Sequence, residues 1–181
     1  MVQWFAKYWM QVKRWRSRRK DRGVLHSALP ELSSVQAIAS YVTTKLTYTG
    51  DPVFGGLDDY YNHPEYLQYC IESLLHPPVD CDDYSAMAYA LAKKNPNLKP
   101  TMIVLLIKDL PTILKTIGSA ILKFKMPYLP FHEGCLIEEG GKLYFVDTSG
   151  LWQVESIEEL AERFGKAWSV PYTAIITEYP W

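Results

Sequence analysis

The spacing of apolar residues changes along the chain, and it predicts helices mainly in the first half and strands mainly in the second. Spacings of three and four residues predict amphipathic helices over residues 3–20, 33–45, 64–75 and 81–94. Continuous or alternating apolar runs predict strands over residues 101–107, 131–138, 142–147 and 172–179. A capped helix is predicted at 156–163. This order favours an α+β fold in which a helix packs on an antiparallel sheet.

The fourth predicted helix begins with a cysteine. Asp80 is a suitable N-cap for it, and Asp83 stands three residues later, where a side chain can close the first turn. Lys93 lies in the last turn, and Pro96 prevents continuation. Cys81 is therefore expected in the first helical turn, where enzymes often place a nucleophilic cysteine.

Two electrostatic effects oppose each other at Cys81. Backbone amides at a helix start favour the thiolate, whereas the neighbouring carboxyl groups of Asp80, Asp82 and Asp83 disfavour a second anion. A protonated histidine beside the sulfur would be needed for the thiolate to form, and His132 is the candidate. The alternative interpretation is a small buried thiol with no chemical role.

His132 and an acidic residue come from the predicted hairpin. Gly140 and Gly141 separate two apolar runs, so the chain is expected to turn there and to bring His132 and Asp147 to the same end of the strand pair. Across an antiparallel pair the two side chains can share a face. Asp147 would then fix the imidazole tautomer, and the other ring nitrogen would face a thiol. Taken singly, His132 could be structural and Asp147 could cap a turn.

The chain resembles the transglutaminase-like cysteine hydrolases, a papain-like group of bacteria and their viruses. The matching residues are 80–85 (Asp-Cys-Asp-Asp-Tyr-Ser), His132 and 144–148 (Tyr-Phe-Val-Asp-Thr), with a preceding helix at 35–48 that leads to Asp51-Pro52. The resemblance covers about residues 33–150. It implies a papain-like fold and cleavage or transfer at an amide bond of a protein or peptide.

By the same resemblance Cys81 is the nucleophile, His132 the general base and Asp147 the orienting acid. Gln68 and Asn62 are our candidates for a side chain that helps the Cys81 backbone amide to bind the oxyanion. Two alternatives stay open. One is a cell-wall peptidase of the NlpC/P60 type, which also places Asp-Cys at a helix start. The other is a structural or adaptor module without catalysis.

Composition argues against several other kinds of site. The three cysteines, Cys70, Cys81 and Cys135, are too few for a disulfide scaffold and fit a reducing compartment. Cys81, His132, Cys135 and an aspartate include zinc-type ligands, but without the usual paired spacing, so we expect no metal. The Asp58-Asp59 pair is interpreted as part of a solvated loop. No phosphate-binding glycine motif occurs, and no cofactor is expected.

The N-terminal segment differs in charge from the rest. Residues 1–22 carry eight basic side chains and one acidic, giving +7, so the remainder carries −8 for the whole chain to reach −1. Phe5, Tyr8, Val12 and Trp15 form an aromatic stripe, with Trp4 and Trp9 beside it. This helix could dock its stripe on the remaining domain, or bind an anionic membrane surface, nucleic acid or a protein partner.

The predicted organisation is therefore a basic helix at 1–22 followed by one catalytic domain at 23–181. Residues 109–128 interrupt the strands and are interpreted as a helical insertion or lid. The sequence shows neither a secretory signal pattern nor an apolar run long enough to span a bilayer. The expected location is cytoplasmic or within a virion.

Overall fold

The computed structural model describes residues 2–20, 24–49, 61–108, 111–115 and 131–181. Its helices are α1 Val2–Lys20, α2 Val35–Lys45, α3 Pro64–Glu72, α4 Cys81–Lys93, α5 at residues 111–115 and α6 Ile157–Trp168. Its strands are β1 Leu98–Ile107, β2 Phe131–Glu139, β3 Lys142–Asp147, β4 Gly150–Val154 and β5 Tyr172–Thr177.

The strands form one antiparallel sheet in the order β4-β3-β2-β1-β5, which places β2 at its centre. The predicted hairpin of β2 and β3 is confirmed. Gly140 and Gly141 connect the strands with φ values of 58° and 78°, a conformation that side chains other than hydrogen strongly disfavour. The α+β fold class expected from the sequence is therefore observed.

Helices cover both faces of this sheet. On one face α2 and α4 pack against inward-pointing residues of β2 and β3 such as Cys135, Ile137 and Val146. On the other face α6 packs against Leu136 and Phe145. Because side chains alternate along a strand, each residue of β2 is committed to one of these two layers. We call the two sides the α4 face and the α6 face.

Local capping signals explain where the helices begin. The Asp80 side chain accepts from the Asp82 N–H at 3.2 Å, and the Asp83 carboxylate accepts from the Asp80 N–H at 3.3 Å, which together form the predicted capping box. Ser34 and Ser156 cap α2 and α6 through their hydroxyl groups. The starts of all three helices are thus confirmed.

One strand of the sheet, β4, was not predicted from the sequence. β4 follows β3 directly, through a turn that pairs Asp147 with Gly150. It is only five residues long, and its burial pattern shows little alternation. Its position depends on pairing with β3, which a local pattern does not reveal.

The docking of α1 corrects the sequence prediction in one respect. The helix does pack on the domain, but its buried residues are Met10, Lys13 and Ser17, on the side opposite the predicted stripe. Tyr8 and Trp15 are more than half exposed. The side chains of Trp4, Phe5 and Trp9 lie outside what the structure describes. No helix in the described ranges is both long and apolar enough to cross a membrane.

Two other sequence predictions fall mostly outside the described residues. In the 109–128 insertion only residues 111–115 are described within helix α5, so its role as a lid stays a prediction. The Asp58-Asp59 pair belongs to residues 50–60, which are not described either.

Gly134 is a position where a larger residue should disturb the sheet. A Cβ atom added there would lie 2.1 Å from Cζ of Phe145, so the ring would have to move. We expect Gly134→Ala to lower the free energy of unfolding by about 1–3 kcal/mol, the usual cost of overpacking a filled core. Urea denaturation would measure it. A second change, Phe145→Leu, should recover part of the loss, and a Gly134→Ala variant as stable as the native chain would contradict the packing.

Candidate active site

His132 and Asp147 form a buried pair at one end of the β2–β3 hairpin. Nε2 of His132 lies 2.9 Å from Oδ2 of Asp147, and both side chains are almost fully enclosed. The last ladder pair is Cys135 with Val146, so the two residues lie diagonally across the strands on the same face. The prediction that these side chains meet is confirmed.

The turn after β3 holds the Asp147 carboxylate in place. Its Oδ1 atom accepts from the Ser149 backbone N–H at 2.9 Å and from the Ser149 hydroxyl at 2.6 Å. The Ser149 oxygen in turn accepts from Nε1 of Trp152 at 2.8 Å. Two donors from Ser149 therefore hold the carboxylate, and Trp152 holds Ser149, which leaves the carboxylate little freedom to turn away from the histidine.

The His132 ring is also fixed by packing. It stacks on Phe164 of α6, with ring centroids 4.9 Å apart and planes inclined by 13°. Since a carboxylate held by donors acts as an acceptor, we assign the Nε2 proton to the bond with Asp147. Nδ1 then carries the lone pair. No hydrogen bond to Nδ1 occurs among the described residues, so this nitrogen is the one available to accept a proton.

Cys81 occupies the first turn of α4, as predicted, but its helix packs on the other face of the sheet. His132 pairs with Leu105, which belongs to the apolar cluster under α6, whereas Glu133 pairs with Val104, which packs with α4. Glu133 is therefore the β2 side chain that points toward the cysteine. Within the described part of the chain no hydrogen bond joins the Cys81 sulfur to the His132 ring.

The pKa of the Cys81 thiol is raised well above its usual value. Burial of the sulfur is the largest cause, although the residue as a whole is only half-buried, and the negative charges of Asp80 and Glu133 add to it. Lys13 and the backbone of Glu133 act in the opposite direction. The backbone contact shows that the sulfur reaches β2 one residue from His132. The resting thiol is thus protonated at neutral pH.

A buried charged cluster surrounds the start of α4. Nζ of Lys13 lies 2.5 Å from Oδ2 of Asp82, and both side chains are almost inaccessible. The same ammonium lies 4.9 Å from the centre of the Tyr61 ring. The Tyr61 hydroxyl donates to the Glu133 carboxylate at 2.8 Å, and burial together with this acid raises the Tyr61 pKa. Helix α1 thereby contributes a charge to the surroundings of Cys81.

The two candidate oxyanion donors make other hydrogen bonds. The Asn62 side chain donates to the Pro78 carbonyl at 3.0 Å and to the Asp83 carboxylate at 2.9 Å. The Gln68 amide donates to Glu72 at 2.8 Å and accepts from the Tyr41 hydroxyl. Both side chains are therefore occupied in this state, and the Cys81 backbone N–H remains the donor that the fold places at the helix start.

Potential metal ligands form groups other than the one considered from the sequence. His132 and Cys135 point to opposite faces of the sheet, because Cys135 packs with α4. In the described ranges, His26, His63 and Glu65 form one cluster of ligand atoms, and Asp80, Asp82 and Asp83 form another. Several carboxylate oxygens of the second cluster already bind Lys13, Asn62 or the backbone N–H groups of the helix cap.

Thiol labelling can test the charge environment of Cys81. We expect iodoacetamide to modify Cys81 slowly at neutral pH, and the rate to go on rising beyond about pH 8.5, where a free thiol ionises, because the folded pKa is raised. Glu133→Gln removes a nearby negative charge, so the pKa should fall and the rate at pH 8 should rise about tenfold for each unit of that fall. Peptide mass spectrometry would follow the reaction.

Two controls make this labelling experiment specific. Glu138→Gln changes a partly exposed acid on the same strand and should leave the rate unchanged. Cys70 and Cys135 are buried and report any unfolding of the variant. Fast modification of Cys81 in the native chain at pH 6 would contradict the raised pKa and would indicate a thiolate paired with His132.

Comparison with known proteins adds no assignment. No family model matches the sequence, and no curated protein matches it.

Proposed function

We propose that the protein is a cysteine-dependent hydrolase or acyltransferase acting on an amide bond of a protein or peptide, with a transglutaminase-like, papain-like arrangement. The observation that supports it best is the buried His132–Asp147 pair, bonded through Nε2 with Nδ1 left as the base. The acid comes from the strand after the histidine strand. That position supports the transglutaminase-like reading over the NlpC/P60 type.

In the proposed reaction the Cys81 sulfur attacks the substrate carbonyl while Nδ1 of His132 takes the thiol proton. The Cys81 backbone N–H, at the start of α4, donates to the developing oxyanion. The imidazolium then returns the proton to the leaving amine, and the carbon–nitrogen bond breaks to give a thioester. Water or a second amine attacks the thioester, with His132 as base, and releases Cys81. Asp147 keeps the ring oriented throughout.

Because the resting thiol is protonated and not bonded to the ring, this mechanism requires a change at Cys81 when substrate binds. The sulfur, which contacts the backbone of Glu133, would have to move toward Nδ1 of the neighbouring His132. Since the resting thiol keeps its proton, that proton would be transferred as attack occurs rather than beforehand.

The adaptor alternative is favoured by a different observation. Two negative groups, Asp80 and Glu133, lie close enough to Cys81 to raise its pKa, and the imidazole lies on the α6 face. A domain that had lost turnover could retain the His132–Asp147 pair as a structural element of its core. This alternative predicts no acyl intermediate under any condition.

Capture of the thioester distinguishes the two functions. The full chain would be incubated with activated acyl esters and with a glutamine-containing peptide library, with and without a primary amine, and intact mass and peptide mapping would locate any adduct. We expect an acyl group on Cys81 that is released faster when the amine is present, and none in Cys81→Ser. If a folded chain forms no adduct on Cys81 with any of these esters or peptides, the proposed function is wrong.

A further inference from the structure

Polar contacts fix which side of α1 faces the domain. The Ser17 hydroxyl accepts from the Tyr61 backbone N–H at 2.8 Å, close to the buried Lys13–Asp82 pair. At the far end of the chain, the Arg14 guanidinium binds Glu178 at 2.8 Å. One turn later, Arg18 Nε donates to the Pro180 carbonyl at 2.8 Å. With these contacts in place, the opposite side of α1 has a defined direction, away from the sheet.

That outward side combines aromatic and cationic groups. Tyr8 and Trp15 are 55% and 56% exposed, and they stand seven residues apart, which is about two helical turns on one side. Four residues further, the Arg19 guanidinium lies 4.2 Å from the centre of the Trp15 ring. Two large rings and a guanidinium group therefore share one exposed side of the helix. We call Tyr8, Trp15 and Arg19 the outer face of α1.

We propose that the outer face of α1 binds an anionic lipid bilayer, with the helix lying parallel to the membrane surface and the domain held above it. Indole and phenol rings favour the interfacial region, where the apolar ring is buried and the polar edge stays wet. Arginine beside them adds attraction for acidic headgroups. The proposal does not depend on catalysis.

Charge distribution supports a membrane surface as the partner. The segment 1–22 carries +7 and the remainder −8, so attraction for acidic headgroups comes from this segment. Within it Lys13, Arg14 and Arg18 are engaged with the domain, whereas Arg19 belongs to the outer face. Nucleic acid fits less well. Two of the three residues that define the outer face are aromatic, whereas a nucleic-acid surface would present a row of cations.

Vesicle flotation with the full chain tests the proposal. The probes would be vesicles of phosphatidylcholine alone, vesicles with added phosphatidylglycerol, and a duplex DNA of random sequence. We expect binding to the anionic vesicles that weakens with salt, and little binding to phosphatidylcholine. Tyr8→Ser with Trp15→Ser should reduce the partition coefficient about tenfold or more, since two rings lose their burial.

Matched variants distinguish binding through the outer face from nonspecific adsorption of the protein to vesicles. Leu74→Ser removes a side chain that is 82% exposed and far from α1 in sequence, and it should leave vesicle binding unchanged. Arg19→Gln should weaken binding to anionic vesicles. Equal binding to both vesicle types, no vesicle binding, or no effect of the double variant would overturn the proposal. DNA binding lost in the same double variant, without vesicle binding, would replace lipid by nucleic acid.

Discussion

Asp147→Asn is expected to lower turnover of an amide substrate by about 10⁴-fold, the size of the effect when a triad histidine loses its orienting acid. An amide side chain could still bond to the His132 ring, and it could keep the bond from the Ser149 hydroxyl. However, the amide NH₂ would then donate to Nε2 and place the proton on Nδ1. The nitrogen needed as a base would carry a hydrogen, and transfer from Cys81 would fail.

The measurement compares kcat and KM of the variant with the native chain on whichever substrate acylates Cys81. Most of the loss should appear in kcat, because the pair acts on proton transfer rather than on binding. Glu138→Gln on β2 is the matched control, with turnover unchanged. Unfolding by urea shows whether the variant is intact. A folded Asp147→Asn chain that keeps turnover within a few-fold would exclude an orienting role for Asp147.

The sequence predicted those parts of the site that depend on neighbouring residues, such as helix caps and turn glycines. Asp80 and Asp83 flank Cys81 at capping positions, so the start of α4 and the cysteine's place in its first turn follow from four adjacent residues. Gly140 and Gly141 set the turn, and the turn sets which residues of β2 and β3 meet. His132 and Asp147 therefore came together as expected.

The sequence could not predict which face of the sheet each helix covers. Whether His132 or Glu133 points toward α4 depends on which face of the sheet the helix covers, and a shift of one residue exchanges them. Ser149, Trp152 and Phe164 complete the histidine pair from the turn after β3, from β4 and from α6. The turn after Asp147 was the one available signal, because an aspartate side chain often accepts from the backbone N–H two residues later, here that of Ser149.

The side of α1 that docks is not the aromatic stripe considered from the sequence, for a related reason. Apolar spacing predicts which side of an amphipathic helix is buried when its receiving surface is apolar. The surface that receives α1 is apolar around Met10 but also carries acidic groups, with Asp82 and Glu178 placed opposite Lys13 and Arg14. Charge pairing therefore contributes to the docking, and Tyr8 and Trp15 are left more than half exposed.

Lys13 is consequently expected to affect both the free energy of unfolding and the ionisation of the Cys81 thiol. Its ammonium is the cation that faces Asp82, and Oδ1 of that carboxylate is buried without a hydrogen-bond partner in the described structure. We expect Lys13→Met to lower the free energy of unfolding by about 3–5 kcal/mol, because removal of one partner leaves an uncompensated buried charge. Urea denaturation followed by circular dichroism would measure the loss.

Two further variants show whether the effect arises from the ion pair. Adding Asp82→Asn to Lys13→Met should restore most of the stability, since no lone charge is then buried. Arg19→Met, an exposed cation on the same helix, should cost less than about 1 kcal/mol. Lys13 also opposes the rise in the Cys81 pKa, so alkylation of Cys81 should slow in Lys13→Met wherever the chain stays folded. A loss below about 1 kcal/mol in Lys13→Met would show that α1 does not seal this pair from water.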